Sequence, residues 1–232
     1  MRFFYDHASR FTACVTICLF CLSFSASAQA ECPDDAAIAL YLAAYAKGIP
    51  AAGFGAYPGF DANLLVEVKD AGLADATTPL QALQHLESVI TFVELSDAMI
   101  PGPLTANELV ATNLSFRGGI KGAELPVQAT QAFADAVAAF TVTMVDESRD
   151  GQVLGSARGD VLMGHPLNAA ILLAKALKLA GISLKPGDLL CLGSLIEPQP
   201  PRAGMKIKLQ YLGLPGDPEL ELEFSEAFDR DR

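Results

Sequence analysis

Residues 205–224 carry the pattern that most restricts how this chain can fold, because polar and apolar side chains alternate on both sides of a turn. Residues 205–211 and 219–224 alternate, and the segment Leu-Pro-Gly-Asp-Pro at 214–218 separates them. Alternation with a period of two places successive side chains on opposite faces of a β-strand. Lysines of the first segment then lie opposite glutamates of the second, where such pairs stabilise a sheet. The pattern predicts an antiparallel hairpin.

Three helices are predicted upstream of this hairpin. Two of them cover residues 126–139 and 166–179, and Gly181 closes the second. The third begins at Thr78-Pro79, an N-cap residue followed by a first-turn proline. Its apolar face is formed by residues three or four positions apart: Leu80, Leu83, Leu86 and Ile90. A short strand over residues 89–95 follows this helix or overlaps its end.

Further strands are predicted around these helices, and together they decide the fold class. Apolar and β-branched runs at residues 64–69, 140–145 and 189–192 favour strands. Asp150-Gly151 turns the chain back into residues 152–155, which gives a second hairpin. Helices that lie between hairpins, rather than between single parallel strands, are typical of an α+β fold. We therefore expect an α+β domain with a mixed or antiparallel sheet and flanking helices.

Composition indicates a globular protein and argues against nucleic acid as a partner. Of the 232 residues, 51% are hydrophobic and 19% are charged, which excludes a disordered chain and is enough for one sizeable core. The 16 Lys and Arg residues are outnumbered by 27 Asp and Glu residues, for a net charge of −11. That charge repels phosphate backbones and anionic lipids.

The first 30 residues have the order of a secretory signal peptide. Arg2 and Arg10 precede an apolar run at residues 13–24, and Ala28-Gln29-Ala30 ends the segment with small residues at its first and third positions. A membrane anchor is the alternative, but this run of about a dozen residues is shorter than the roughly 20 that span a bilayer. We expect cleavage after Ala30, a periplasmic or secreted protein, and no membrane attachment after cleavage.

Two cysteines, Cys32 and Cys191, follow the expected cleavage point. In an exported protein, two cysteines can form a disulfide. Cys191, however, lies in the apolar run at residues 189–192, where a buried thiol agrees with the sequence at least as well. Both states stay open.

Oxygen-bearing side chains form the strongest candidate site. Asp61 and Asn63 are two residues apart at a strand start, so both side chains lie on one face. Glu94 is a carboxylate inside an apolar run, and a buried carboxylate must be paired, hydrogen-bonded or metal-bound. Carboxylate and amide oxygens suit a hard cation such as Mg²⁺. The alternative is that Asp61 and Asn63 cap a loop and that Glu94 forms a salt bridge.

Other catalytic patterns are weak or missing. The sequence has no GxGxxG, GxxxxGK[ST], HExxH or GxSxG motif. His165 precedes a predicted helix whose N-terminus can face an anion, although a histidine before a proline also commonly ends a loop. His85 is expected on a surface or an interface.

Several blocks of sequence occur in an order typical of one family. The blocks are FGAYP at 54–58, DANLLV at 61–66, DATTPL at 75–80, FVELSD at 92–97, LMGHPLNAA at 162–170, PGDLLCLGS at 186–194 and GLPGDP at 213–218. Together they resemble the 2-keto-4-pentenoate hydratase branch of the fumarylacetoacetate hydrolase superfamily. The resemblance covers roughly residues 54–224.

The resemblance implies a β-roll or barrel-like domain with flanking helices over residues 54–232, and a divalent ion, Mg²⁺ or Mn²⁺. Asp61, Asn63 and Glu94 match the positions that hold the ion, and the last two are 31 positions apart. Gly193 and Ser194 match a pair that contacts substrate. A small 2-oxo acid as ligand and a homo-oligomeric assembly are implied in the same way.

The chain departs from the family pattern at two places. Asn63 stands where the family has a carboxylate, so the ion site has one negative charge fewer. Family members also have a longer N-terminal part with a Gly-Tyr-Lys motif and a lid, which residues 31–53 resemble only as a shortened helical segment. The sequence therefore identifies no acid–base residue, and His165 and Lys69 are the substitutes that we consider.

The resemblance implies that the chain adds water to a 2-oxo-4-enoate of the 2-hydroxypenta-2,4-dienoate type and forms a 4-hydroxy-2-oxo acid. Two alternatives stay open. The chain is either a catalytically silent binding or scaffold protein that retains the fold, or a related decarboxylase or acyl hydrolase.

Overall fold

A computed structural model describes residues 58–97 and 113–225 of the chain. Within these ranges the chain forms eight β-strands and three α-helices, with short 3-10 turns between them. The expected signal peptide at residues 1–30, the segment at 31–53 and Cys32 lie outside the described residues, so the expectations about them stay predictions.

The strands and helices alternate irregularly along the chain. The strands are β1 (Pro58–Val68), β2 (Leu86–Asp97), β3 (Phe116–Pro126), β4 (Thr141–Asp146), β5 (Gln152–Arg158), β6 (Leu189–Ser194), β7 (Lys206–Leu212) and β8 (Glu219–Glu223). The α-helices are α1 (Pro79–Leu83), α2 (Gln131–Ala139) and α3 (Pro166–Leu179).

The strands form two four-stranded sheets. The first sheet has the order β3-β2-β1-β6 and the second has the order β5-β4-β7-β8. Every pairing between the described strands is antiparallel. The expected α+β fold is therefore confirmed, and of the two sheet types left open the described strands form the antiparallel one.

The two sheets share one hydrophobic core. Alternate residues of β1, including Phe60 and Leu64, are fully buried in the same cluster as Met144 and Leu209 of the second sheet. The ring centroids of Phe60 and Phe224 lie 4.8 Å apart and connect the two sheets at one end. Because even-numbered residues of β1 face this core, its odd-numbered residues lie on the opposite face of the first sheet.

Helix α3 has the bounds that its sequence predicts. It starts at Pro166 and ends at Leu179, and its buried residues pack in the main core. Gly181 follows with a φ of +75°, a left-handed conformation that glycine adopts without steric cost. Its N–H donates to the carbonyl of Lys178 at 3.0 Å, which satisfies a free carbonyl of the last turn.

Helix α1 is shorter than the sequence predicts. Thr78 caps it and Pro79 occupies its first turn as expected, but the helix ends at Leu83 and strand β2 begins at Leu86. Leu86 and Ile90, expected on the helix, are strand residues paired along β1. The β-branched run around Ile90 favours a strand, and pairing over the whole length of β1 outweighs the helical spacing of the leucines.

The second predicted helix also begins later than expected. Pro126 ends β3, and helix α2 starts at Gln131. The Thr130 side chain accepts a hydrogen bond from the Phe133 N–H at 3.2 Å. This N-cap satisfies an N–H that the first helical turn leaves without a partner, so it determines where the helix begins.

The predicted C-terminal hairpin is formed by β7 and β8. Lys208 lies 2.5 Å from a carboxylate oxygen of Glu219 and 3.6 Å from one of Glu221. Lys206 lies 3.9 Å from Glu223. The cross-strand charge pairing is confirmed, although exposed ion pairs of this kind contribute at most about 1 kcal/mol each.

No helix within residues 58–97 and 113–225 is long and apolar enough to span a membrane.

His165 has a structural role at the start of α3. Its Nδ1 accepts a hydrogen bond from the Leu167 N–H at 3.1 Å, and its Nε2 lies 3.1 Å from the carbonyl oxygen of Ala134. The ring must therefore be neutral, with its proton on Nε2. Burial lowers the pKa of His165, which favours the same form. A charged ring would lose the cap.

Replacing His165 by Asn should keep the cap and remove its dependence on pH, because an amide oxygen accepts the same bond without titrating. In the native chain, the stability that the neutral ring contributes is present above its unfolded pKa of 6.5 and is lost as pH falls towards the lowered folded pKa. Urea unfolding at pH 5.0 and 7.5 should show a larger loss of free energy for the native chain than for His165→Asn.

His165→Ala is the matched control for this experiment. It removes the cap at both pH values and should cost about 1 kcal/mol at pH 7.5. An equal pH dependence in the native chain and in His165→Asn would show that the ring does not act as a titrating cap.

Candidate functional site

The register of β1 and β2 brings the predicted metal-site residues together. Asp61 is the cross-strand partner of Glu94, and Asn63 lies two residues further along β1. All three side chains therefore lie on the face of the first sheet opposite the main core. Their exposed fractions are 2% for Asp61, 0% for Asn63 and 9% for Glu94. The arrangement gathers two carboxylates and one amide in a buried position.

The Asn63 amide lies between the two carboxylates. Its Nδ2 donates to Asp61 Oδ2 at 2.8 Å and to Glu94 Oε2 at 3.4 Å. Hydrogen bonds to charged acceptors are the stronger kind, and they contribute about 1.5–3 kcal/mol each. The two N–H groups of one neutral side chain thus hold both carboxylates, which would otherwise repel each other.

Ser194 lies at the rim of the same group. It is the cross-strand partner of Asn63, and its exposed side chain donates from Oγ to Asp61 Oδ2 at 2.5 Å. The pairing of β1 with β6 shifts register between Asn63 and Leu65, beside Gly193 with a φ of +111°. Glycine allows this bulge at little cost, and the bulge sets where Ser194 lies.

Cys191 is a site neighbour that the sequence alone did not indicate. Its Sγ donates to Asn63 Oδ1 at 3.3 Å and lies 3.6 Å from Glu94 Oε2, and the residue is 3% exposed. Cys191 is the cross-strand partner of Leu65, which places it on the same sheet face as Asn63. In the sequence, Cys191 is one residue of an apolar run, so no sequence pattern distinguishes it from an ordinary core residue.

Tyr211 supports the site from the second sheet. Its hydroxyl donates to the backbone carbonyl oxygens of Asn63 at 3.3 Å and Phe92 at 3.2 Å. Burial raises the pKa of Tyr211, so the hydroxyl keeps the proton that it donates. Because Asn63 and Phe92 are cross-strand partners, one hydroxyl ties the paired strands β1 and β2 to β7.

Burial disfavours the charged form of Asp61. Burial raises its pKa to about 6, while the hydrogen bonds from Ser194 and Asn63 act in the opposite direction. The raised pKa means that the charged form of Asp61 is less favourable here than in water. A cation beside Asp61 would offset this cost.

The donor atoms fit a small divalent cation if the Asn63 amide turns. In the described ranges, no three His, Cys, Asp or Glu side chains form a group that could hold a metal ion. The Asn63 amide also presents Nδ2, a hydrogen-bond donor, to both carboxylates. A half-turn of the amide replaces Nδ2 by Oδ1 at 2.8 and 3.4 Å from the two carboxylate oxygens. Octahedral ligands with bonds of about 2.1 Å are about 3.0 Å apart, so this spacing suits Mg²⁺ or Mn²⁺.

Neither substitute for the acid–base residue is in place. Both ring nitrogens of His165 are engaged, one by Leu167 and one by Ala134. Lys69 is exposed and follows Asp61 by eight residues along the extended chain, which is about 26 Å. The described residues therefore provide two buried carboxylates with a shared amide and a polar rim, and these two candidates do not add a proton-transfer group.

Solved structures with the same fold are enzymes of small organic acids. No protein-family model matches the sequence. A structure of 4-oxalocrotonate decarboxylase from Pseudomonas putida G7, complexed with magnesium and adipate, matches with a TM-score of 0.60 and 22% identity. A second complex of that enzyme, with calcium and acetate, matches with a TM-score of 0.58 and 23% identity. Both matches cover 72% of this chain and 60% of the decarboxylase chain.

Fumarylpyruvate hydrolase from Pseudomonas aeruginosa, in complex with Mn²⁺ and pyruvate, also matches, with a TM-score of 0.51 and 14% identity over 75% of this chain and 68% of that one. The chain therefore has the fold of these enzymes, which agrees with the α+β fold expected from the sequence. The matches do not distinguish the hydratase branch from the decarboxylases and hydrolases.

Asn63→Leu tests whether the shared amide holds the carboxylates together. The change removes the donor that Asp61 and Glu94 share and should lower the free energy of unfolding by about 3 kcal/mol. In an Asp61→Asn background the same change should cost only about 1 kcal/mol, because one of the two charges is gone. Urea unfolding of the four proteins in metal-free buffer measures the difference. Equal costs in both backgrounds would show that the amide does not stabilise the charge of Asp61.

Proposed function

We propose that this chain is a divalent-metal-dependent enzyme of a short 2-oxo acid, and that it hydrates a 2-oxo-4-enoate to a 4-hydroxy-2-oxo acid. The observation that carries the proposal is the convergence of Asp61, Asn63 and Glu94 on one buried face, with donor spacing that suits a small cation. The hydratase reaction itself comes from the sequence resemblance over residues 54–224.

The residues take separate roles in this proposal. Asp61, Asn63 and Glu94 would hold Mg²⁺ or Mn²⁺, which would supply Lewis-acid polarisation of the 2-oxo group. Gly193 and Ser194 lie at the rim, where the serine hydroxyl can turn from Asp61 to the carboxylate of a substrate. An exchange of one carboxylate acceptor for another keeps the hydroxyl hydrogen-bonded throughout.

A buried apolar cluster beside the ion site would lower the polarity on one side of a bound substrate. Leu65, Ile90, Phe92 and Cys191 form a buried cluster on the same face of the sheet as Asn63. Low polarity next to charged groups strengthens their electrostatic interactions with a bound ligand. The cluster suits the hydrocarbon chain of an enoate, while the polar rim suits its carboxylate.

The ligands of the structural neighbours support a 2-oxo acid as substrate. The hydrolase with 14% identity is described with Mn²⁺ and pyruvate, which is itself a 2-oxo acid. The decarboxylase is described with magnesium and adipate. A divalent ion and a carboxylic acid thus occur together on this fold, as the proposal requires for this chain.

Two observations favour other functions. The decarboxylase named among the neighbours supports decarboxylation of an unsaturated 2-oxo diacid as a second candidate. The Asn63 amide, which satisfies both carboxylates without an ion, supports a catalytically silent binding protein as a third.

Turnover with Mn²⁺ separates these candidates. The native chain should consume 2-hydroxypenta-2,4-dienoate and form the 4-hydroxy-2-oxo acid, and chelation should abolish the reaction. Glu94→Gln should reduce kcat/KM by more than about 100-fold, since even partners of metal ligands cost 10–100-fold. Glu67→Gln is the matched control. Glu67 lies on β1, six residues after Asp61, and its carboxylate accepts a hydrogen bond from the Ser88 hydroxyl. Release of CO₂ from 4-oxalocrotonate would indicate decarboxylation, and ligand binding without turnover would indicate a silent protein.

Restoring a carboxylate at position 63 should strengthen ion binding. Asn63→Asp adds a negative charge next to Asp61 and Glu94, in a buried place where charge interactions are strong. We expect Mn²⁺ to bind at least about tenfold more tightly, which is about 1.4 kcal/mol. Calorimetry of Asn63→Asp, Asn63→Glu and the native chain at fixed pH and salt measures the change. Unchanged or weaker binding in both variants would show that position 63 is not a ligand.

A further inference from the structure

A pocket lies beside the C-terminal half of α3, away from the candidate functional site. Its volume is about 310 Å³, and it is lined by residues of the 3-10 turn Ala71–Asp75, by Ala174 and Lys178 of α3, and by residues 181–184 after the helix. This size is at the lower end of the range for pockets that hold small organic molecules. No residue of the candidate ion site lines the pocket, so the two sites are separate.

The floor of this pocket is apolar. Ala74, Ala174 and Leu184 form it, and each is at most 8% exposed. Ile182 lines the same pocket and is 51% exposed. A hydrocarbon chain in the pocket would cover this side chain and the floor, and burial of apolar surface favours binding.

One wall of the pocket carries an ion pair that a ligand can open. Lys178 Nζ lies 2.5 Å from Asp75 Oδ1, and both side chains are more than half exposed. Exposed ion pairs contribute little free energy, because water solvates both charges when the pair opens. A carboxylate group of a ligand can therefore replace Asp75 at the lysine with little loss.

Lysines without an ion pair gather around this pocket. Within residues 58–97 and 113–225, the lysines that form no ion pair are Lys69, Lys121, Lys175 and Lys185. All of them except Lys121 lie one or two positions from residues that line the pocket. The hydrogen bond and charge of Lys178, and more weakly the charge of Lys175, lower the pKa of Asp75. Cationic groups thus surround the wall that carries the ion pair.

The negative groups near the pocket are engaged elsewhere. Asp70 bonds His85 and a backbone N–H, and Asp188 accepts a hydrogen bond from a backbone N–H. The carbonyl oxygens of residues 176–178, at the negative end of the helix dipole, accept hydrogen bonds from the N–H groups of residues 180–182. The chain as a whole has a net charge of −11, so the lysines make this pocket electrostatically unlike the rest of the surface.

We propose that this pocket binds a small organic carboxylate with a hydrocarbon chain, and that the carboxylate takes the place of Asp75 at Lys178. The hydrocarbon chain lies on the apolar floor, and the surrounding lysines attract the anion. This inference concerns a second ligand site and does not rest on the ion site of the proposed function.

Hexanoate is the probe, and calorimetry measures its binding to the full chain in metal-free buffer. Lys178→Gln should weaken binding at least about threefold, and Asp75→Asn should tighten it about threefold, because the lysine then has no charged partner to lose. Lys121→Gln is the matched control, since this exposed lysine also forms no ion pair but lies on β3. It should bind hexanoate as the native chain does, and so should Glu94→Gln.

Three other ligands test the chemistry of the pocket. Hexanol lacks the charge, acetate lacks the long chain, and norleucine adds an ammonium group to the same chain. Each should bind the native chain at least about threefold more weakly than hexanoate. Equal or tighter binding of any of them, or of inorganic phosphate, overturns the proposed class of ligand.

The variants test the place of binding. Hexanoate that does not bind the native chain, or that binds Lys178→Gln equally well, overturns the assignment of this pocket. Binding that is lost in Glu94→Gln also overturns it, because the ligand then occupies the candidate ion site, and the proposed function is left standing.

Discussion

The pairing of β1 with β2 places two carboxylates side by side on a buried sheet face, and the rest of the site compensates for that placement. Asp61 and Glu94 are cross-strand partners, and both are at most 9% exposed. Two such charges repel each other and lose most of their hydration. The Asn63 amide and the Ser194 hydroxyl supply the donors that the lost water would have supplied.

The two faces of the first sheet differ in composition, because one packs in the main core and the other carries the polar group of the candidate site. Even-numbered residues of β1 pack in the core that both sheets share, and odd-numbered residues form the polar group and the small apolar cluster beside it. Tyr211 connects the two faces, because its ring belongs to the shared core and its hydroxyl bonds the backbone carbonyls of Asn63 and Phe92. The position of the site therefore depends on core packing as much as on its own polar contacts.

Sequence patterns predicted the elements whose stability is local and missed boundaries that depend on distant pairing. Helix α3 has its own start signal and its own closing glycine, so its bounds followed from the residues alone. The leucines from Leu80 to Leu86 have helical spacing, yet the chain becomes a strand at Leu86 because β1, earlier in the sequence, pairs along it. Asp61, Asn63 and Glu94 could be located from strand periodicity and from the rarity of buried carboxylates. Their contacts with Cys191 and Tyr211 could not be predicted from the sequence, because Cys191 and Tyr211 lie 97–148 positions away and resemble ordinary core residues.

Asn63 links the stability of the fold to the binding of an ion, and the two make opposite demands on its amide. When the N–H end faces the carboxylates, the buried charges are satisfied and an ion has no ligand at that point. An ion reaches Asp61 and Glu94 together only if the amide presents oxygen, and the N–H bonds to the carboxylates are then lost. Those bonds contribute about 1.5–3 kcal/mol each, so ion binding must exceed that cost before it becomes favourable. The orientation of one amide thus decides whether the buried carboxylates are satisfied from within the chain or are open to an ion.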